Sequence, residues 1–371
     1  MYKKKPIVSI ILGTRPEAIK LAPVIKTFIG CNLIDTRIIF SGQHREMVKQ
    51  VMNLFNLKID KDLKIMKDRQ SLTHITNSVL SGLEDEFQKF KPNLVLVQGD
   101  TSTAFAAALS SFYKGIPIAH VEAGLRTNQL NDPFPEEANR RLISQISSLH
   151  FAPTNDAKQN LINSGVCGNI YITGNTVIDS LLYAAEKNKY DQKYRFKNKD
   201  FKLILCTIHR RENWSKLEEI TSGILKILES YKDIKFIIPL HKNETVRNPI
   251  KEILGNHKRV SLTEPLEYDE LVAVIKNSYL ILTDSGGLQE EAPSLGKPVI
   301  VLRDNTERVE ALKAGTAKLA GTKPENIYNE VKKLIVDNKA YENMAQSINP
   351  FGDGKSSQRI YEICLEELNI S

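Results

Sequence analysis

Ile7-Val8-Ser9-Ile10-Ile11-Leu12-Gly13-Thr14-Arg15-Pro16-Glu17-Ala18-Ile19-Lys20 is the stretch whose reading decides the fold. Its first six residues are an apolar run of strand length. Gly13 then turns the chain, and Pro16 suits the first turn of a helix that continues over Glu17–Phe28. The same alternation repeats outward. Apolar runs predict strands at Thr36–Phe40, Leu94–Gln98, Ile116–His120, Leu149–Ala152 and Ile170–Thr173. Amphipathic stretches predict helices at Arg45–Phe55, Ser71–Lys89, Ser102–Tyr113, Glu136–Ile146 and Asn155–Ser164. Strands this apolar, separated by helices, imply a parallel sheet covered on both faces.

Lys187 to Lys202 is polar with little apolar periodicity, which reads as an exposed linker or surface segment near a domain boundary. Beyond it the alternation restarts, with strands expected at Leu203–Thr207, Lys235–Pro239, Val260–Leu262, Leu280–Thr283 and Val299–Leu302. The fold class is therefore α/β, two doubly wound Rossmann-like domains facing each other across a cleft. We place the first at 1–175 and the second at 176–354, with the helical segment 355–371 packing back on the first. In such sheets ligands bind beyond the carboxyl ends of the strands.

Composition narrows the class. Fifty-one Lys+Arg against 44 Asp+Glu leave +7 over 371 residues, an excess that fits an anionic small ligand better than a nucleic acid. Cys31, Cys167, Cys206 and Cys364 form no CxxC and read as free thiols of a reducing cytosol. No apolar run reaches the roughly 18 residues of a membrane span. Lys3-Lys4-Lys5 with Ile7–Leu12 imitates a signal peptide only faintly, because the apolar run is short and ends without a cleavage site. The expectation is a cytoplasmic protein.

Four strings carry chemistry. At Gly13–Lys20, amides opening a helix favour an anion, Arg15 offers a fork of donors to phosphate, and Lys20 adds a second cation. A capped helix with solvated basic residues is the bland alternative. Thr283-Asp284-Ser285-Gly286-Gly287-Leu288-Gln289-Glu290-Glu291 leads a strand into a turn where glycines let a diphosphate approach backbone amides. Glu291 is suited to accept from sugar hydroxyls, so a nucleotide with a ribose fits the pair. Neither a Walker A lysine nor GxGxxG occurs, which disfavours nicotinamide binding of the usual kind. Asp100, Glu122 and Glu136 stand at strand or helix ends and together point to acid–base work. Singly, each is as well explained by an N-cap at Asp100 or by ion pairs to Arg126 and Arg140. His209-Arg210-Arg211-Glu212-Asn213 ends a strand where His209 can meet a departing phosphate or move a proton, and His241 ends the next strand.

These strings resemble the non-hydrolysing UDP-N-acetylglucosamine 2-epimerases. The likeness covers nearly the whole chain: GTRPEAIKLAPVI at 13–25, QHREMV at 43–48, GDTSTA at 99–104, HVEAGLRT at 120–127, PEEANRRL at 135–142, TGNTVID at 173–179, HRREN at 209–213 and TDSGGLQEEAPSLGKPV at 283–299. The resemblance implies a glycosyltransferase-B type fold, interconversion of UDP-GlcNAc and UDP-ManNAc for cell-surface polysaccharide, a homodimer, and neither metal nor other cofactor. By matching positions it implies substrate contacts at Arg15, Lys20, Asp100, Glu122, His209, Ser285, Gly286, Gly287, Glu291 and Arg308. Asp100, Glu122 and Glu136 become the acid–base candidates, with His209 assisting. Some bacterial members bind a second UDP-GlcNAc as activator, and Gln43, Arg69, Gln70, Arg210 and His241 match that region. The chain departs from many members at Phe134 (Trp there), at Gln98 (His there), and at Leu266 and Leu271, near the uracil in some members.

The implied reaction explains the inventory. The sugar C2 hydrogen has no adjacent carbonyl, so simple deprotonation would leave an unstabilised carbanion. If UDP leaves while C2 loses its proton, a 2-acetamidoglucal forms, and UDP re-adds as a proton arrives on the other face. That route needs carboxylates around C2 and cations on the diphosphate. A hydrolysing epimerase, a glycosyltransferase of the same fold and a silent nucleotide-sugar sensor are the competing readings.

Overall fold

Strands stand where the apolar runs predict them. The computed structural model describes residues 5–67, 69–127, 129–194 and 201–370. The chain divides into two units, one running to Ser180 and resuming at Phe351, the other Leu181–Pro350. The helix Thr176–Glu186 carries the chain from the first to the second. Within the polar stretch, Asp191–Tyr194 is a single helical turn, while 195–200 lie outside the described residues, as do Lys3 and Lys4 of the lysine run.

The first unit contains β1 (Ile7–Leu12), β2 (Asp35–Phe40), β3 (Lys61–Asp62), β4 (Leu94–Gln98), β5 (Ile118–Val121), β6 (Leu149–Ala152) and β7 (Asn169–Ile172). They form a seven-stranded sheet in the order β3-β2-β1-β4-β5-β6-β7, and every pair is parallel. The winding reverses between β1 and β4, which leaves a crevice at their carboxyl ends. Val8, Ile10, Ile11 and Leu12 of β1 and Leu94 to Val97 of β4 are fully buried from both faces. Each such aliphatic side chain contributes about 1.5–3 kcal/mol. Gly13 is required at the first turn, since a Cβ there would lie 2.5 Å from Thr103 Oγ1 and 2.7 Å from Ser41 Oγ. The helix Ser356–Glu367 packs on the helix Arg15–Gly30, where Tyr361 meets Phe28 edge-on with centroids 5.1 Å apart. The Asp179 carboxylate holds its start by accepting from the amides of Ser356 at 3.3 Å and Ser357 at 2.7 Å.

The second unit contains β8 (Lys202–Thr207), β9 (Ile234–Pro239), β10 (Val260–Thr263), β11 (Leu280–Thr283), β12 (Val299–Val301) and β13 (Ala317–Leu319). The six-stranded sheet runs β10-β9-β8-β11-β12-β13, again all parallel. Its winding reverses between β8 and β11. β3 and β13 are strands that the apolar pattern did not predict: both are edge strands of two or three residues, too short to carry a hydrophobic signature.

Candidate functional site

In the first unit the turns after β1, β4 and β5 gather Arg15, Lys20, Asp100 and Glu122 at one end of the sheet. Thr101, not Asp100, caps the helix Ser102–Tyr113, its Oγ1 accepting from Ala104 N at 3.0 Å. The Asp100 carboxylate is thereby left to Arg140, which donates from Nε at 2.9 Å and Nη2 at 2.5 Å. Burial raises the Asp100 pKa and nearby Glu122 adds to it, while Arg140 pulls it down. Glu122 is buried and its backbone is left-handed at φ 60°, a strained setting for a side chain of this size. Lys20 Nζ lies 2.5 and 2.6 Å from its two oxygens. Gln98 Nε2 donates to Oε2, and Asn175 Nδ2 donates to Oε1 at 3.1 Å.

Glu136 opens the helix Glu136–Ile146 half-buried, and among the described residues no hydrogen bond or ion pair joins it to Asp100 or Glu122. Its neighbour Glu137 is fully buried and is bound by Arg140 at 3.2 Å, Arg141 at 2.6 Å and Thr127 N at 3.0 Å. Gln43 is buried beside the first turn and accepts from Thr103 Oγ1 at 2.7 Å. Arg69 is exposed with φ 50°, and Gln70 beside it is half-buried.

In the second unit a buried carboxylate organises the turns after β8 and β11. Asp284 accepts from His209 N at 3.0 Å, Arg210 N at 2.9 Å and Asn213 Nδ2 at 3.0 Å. It therefore pins the His209–Asn213 turn against Ser285-Gly286-Gly287, with Gly287 exposed and Ser285 half-buried. His209 is exposed, yet partial desolvation of the ring lowers its pKa; Asp284 opposes this and His241 reinforces it. The His209 and His241 rings lie 5.9 Å apart. Glu291 is buried and accepts from Tyr268 Oη at 3.0 Å. Arg308 pairs with Glu290 at 2.5 Å, and Arg210 with Glu307 at 2.7 Å. Burial pushes Glu307 upward, but Arg308, Arg303 and Arg210 together hold it down at about 2.

The pattern reading did not single out Glu17, Asn175 or Asp284 as partners of the site. Glu17 stands at the third position of its helix, where a capping carboxylate belongs. It is buried and accepts from Thr14 N at 2.7 Å and Thr101 Oγ1 at 2.7 Å, tying the β1 turn to the β4 turn. Asn175 follows Gly174 in the turn after β7, inside the TGNTVID string, and Gly174 at φ +87° marks that turn. Among the described residues, no helix is long and apolar enough to cross a membrane. No group of three or more His, Cys, Asp or Glu among them is placed to hold a metal ion.

Two doubly wound parallel sheets, each with polar groups collected beyond its strand ends, define an α/β protein of the class that binds small ligands at those rims. A model of the UDP-N-acetylglucosamine 2-epimerase family matches residues 30–365. The UDP-N-acetylglucosamine 2-epimerase of Neisseria meningitidis is 48% identical over 365 residues, covering 96% of this chain and 98% of that one. A crystal structure of the N. meningitidis enzyme bound to UDP-GlcNAc matches with a TM-score of 0.88, over 97% of this chain and all of that one at 48% identity. A sucrose-phosphate synthase from Thermosynechococcus elongatus, 9% identical with a TM-score of 0.65 over 99% of this chain and 100% of that one, shares the fold alone. The chain belongs to the UDP-N-acetylglucosamine 2-epimerase family.

Proposed function

We propose that this chain is a non-hydrolysing epimerase that interconverts UDP-GlcNAc and UDP-ManNAc. The observation that carries the reading is the Asp100–Glu122 pair at the ends of adjacent strands, backed by Lys20 and Arg140, in a member of this family. Two neighbouring carboxylates in different settings suit paired acid and base roles. Burial gives Asp100 a raised proton affinity, which supports a part in proton transfer at C2. In the forward direction the C2 proton passes to a carboxylate while the C1–oxygen bond breaks and its electron pair leaves with UDP. The resulting 2-acetamidoglucal accepts UDP again at C1 as a proton is delivered to the opposite face of C2. Glu136 is the third acid–base candidate, and His209 assists at the phosphate or moves a proton. Arg15, Lys20, Ser285, Gly286, Gly287, Glu291 and Arg308 bind the nucleotide sugar. Gln43, Arg69, Gln70, Arg210 and His241 take a second UDP-GlcNAc as activator. The protein acts as a cytoplasmic homodimer whose product enters cell-surface polysaccharide.

Incubation with UDP-GlcNAc in deuterated water tests the reading. UDP-ManNAc carrying deuterium at C2 is expected. Free ManNAc as the main product refutes it in favour of hydrolysis, and sugar recovered without C2 exchange refutes the elimination route. Asp100→Asn and Glu122→Gln should each retain binding and lose turnover by roughly 10²–10⁴-fold.

A further inference from the structure

We propose that Asn175 and Gln98 are positioning residues, an amide clamp that holds the Glu122 carboxylate in its working orientation and ionised. The inference rests on the acid–base reading of Glu122. The two amides reach Glu122 from different parts of the sheet's rim, Gln98 closing β4 and Asn175 in the turn after β7, and each takes a different carboxylate oxygen. Asn175 is itself fixed. Its backbone N–H donates to Phe351 O at 2.6 Å, and its Oδ1 accepts from Val177 N at 3.1 Å. Because Oδ1 is committed as acceptor, Nδ2 is the atom that faces Glu122, and it can only donate. Both clamp residues are almost fully buried, at 3% and 2% exposure, so neither amide has bulk water as an alternative partner.

A neutral amide stabilises a carboxylate without titrating, which separates these residues from the charged groups around them. Lys20 faces Glu122 from the helix Arg15–Gly30, Asp100 from the turn after β4, and His120 from β5 itself. Lys20 favours the ionised carboxylate and Asp100 opposes it. The amides add donors without changing that charge balance, and with one on each oxygen they fix the plane of a carboxylate that Lys20 already bridges.

Asn175→Asp and Gln98→Glu keep side-chain shape and replace a donor by a like charge. C2 deuterium incorporation followed across pH should show the acid limb of kcat displaced upward by roughly one unit or more in each variant. Asn175→Ala should lower kcat about tenfold with a smaller change in KM. Wild-type acid limbs in both charged variants overturn the clamp, as does a loss confined to KM. Glu122→Gln is measured alongside. Wild-type exchange there refutes the acid–base reading of Glu122 itself. Lost exchange there with unshifted limbs in the charged variants refutes the clamp alone. If Asn175→Asp does not fold, Gln98→Glu decides by the same limb.

Discussion

His120 and His150 face each other across β5 and β6, both completely buried. His120 Nε2 lies 2.7 Å from Gly99 O, so a neutral imidazole donates there, whereas among the described residues neither ring nitrogen of His150 has a hydrogen-bond partner. Burial lowers His120 from 6.5 to about 3 and His150 to about 4, with Arg126 adding to both shifts. The unfolded chain protonates both near 6.5 while the fold does not, so the stability they preserve is fully present above that value and lost as pH falls. Between about pH 7.5 and about pH 5 each accounts for a loss of about 2 kcal/mol. His150→Leu removes one of the two titrations without breaking any hydrogen bond of the ring. It should be at least as stable as the wild type at about pH 7.5 and should lose about 2 kcal/mol less on acidification to about pH 5. Burial raises Glu17, Asp100 and Asp179, so these carboxyls favour the fold as pH falls, but they are common to both proteins and cancel in the difference. The assay must report on the first unit, and the single tryptophan, Trp214, lies in the second. Native-state hydrogen exchange of the β5 and β6 amides gives the opening free energy directly. Superimposable pH dependences, or a His150 ring resonance titrating near 6.5, would refute the argument.

Two further perturbations separate packing from polar pinning. Asp284→Ala strands the amides of His209 and Arg210 and removes one acceptor of Asn213, at a cost of about 3–6 kcal/mol for charge-assisted bonds. Trp214 sits in the adjoining helical turn Arg211–Lys216, so urea unfolding followed by its fluorescence reads the loss, and an unmoved midpoint contradicts it. Gly124→Ala would set a Cβ 2.2 Å from Ala157 O at φ +92°, against nothing within 4 Å for Gly115→Ala at φ +61°. The second should cost about 1–2 kcal/mol of left-handed strain alone, the first more than about 4. Equal melting temperatures would show that the backbone at Gly124 yields.

The fold was legible because parallel strands covered on both faces must be apolar throughout. β1, β4, β6 and β11 accordingly coincide with the runs that predict them. β3 and β13 were not, since Lys61-Asp62 is only half-buried and Ala317 alone is buried in Ala317-Lys318-Leu319, so pairing to one neighbour holds these strands without an apolar run. The placement of Asp100 and Glu122 at strand ends could be read for the same reason that strands could: the residue after an apolar run stands at the sheet's rim. Their partners could be read only in part, since the sequence offers Arg140 to the glutamates and it also holds Asp100. Arg140 lies 40 residues from Asp100, and Asn175 lies 53 from Glu122. Only the strand order brings such pairs together, and no spacing in one sequence encodes it. Gln98 shows the limit most sharply: the resemblance marks it as a departure, but its contact with Glu122 appears only when β4 and β5 are placed side by side.

Five carboxylates of the two units differ in whether backbone amides hold them. Asp179 accepts from the backbone amides of Ser356 and Ser357, and Asp284 from those of His209 and Arg210. Glu17 accepts from the amides of Gly13 and Thr14. Side chains add to two of them, Asn213 at Asp284 and Thr101 at Glu17, but the backbone donors neither titrate nor swing away, so these three acids fix turns. Asp100 and Glu122 are held instead by side chains: Arg140 for the first, Lys20, Gln98 and Asn175 for the second. Side-chain donors can rearrange when a ligand arrives, and a carboxylate so held can gain or give up a proton without unfolding a turn. The distinction predicts opposite phenotypes for one kind of substitution. An amide in place of Asp179, Glu17 or Asp284 should lower stability first, whereas an amide in place of Asp100 or Glu122 should leave the melting temperature nearly intact while turnover falls.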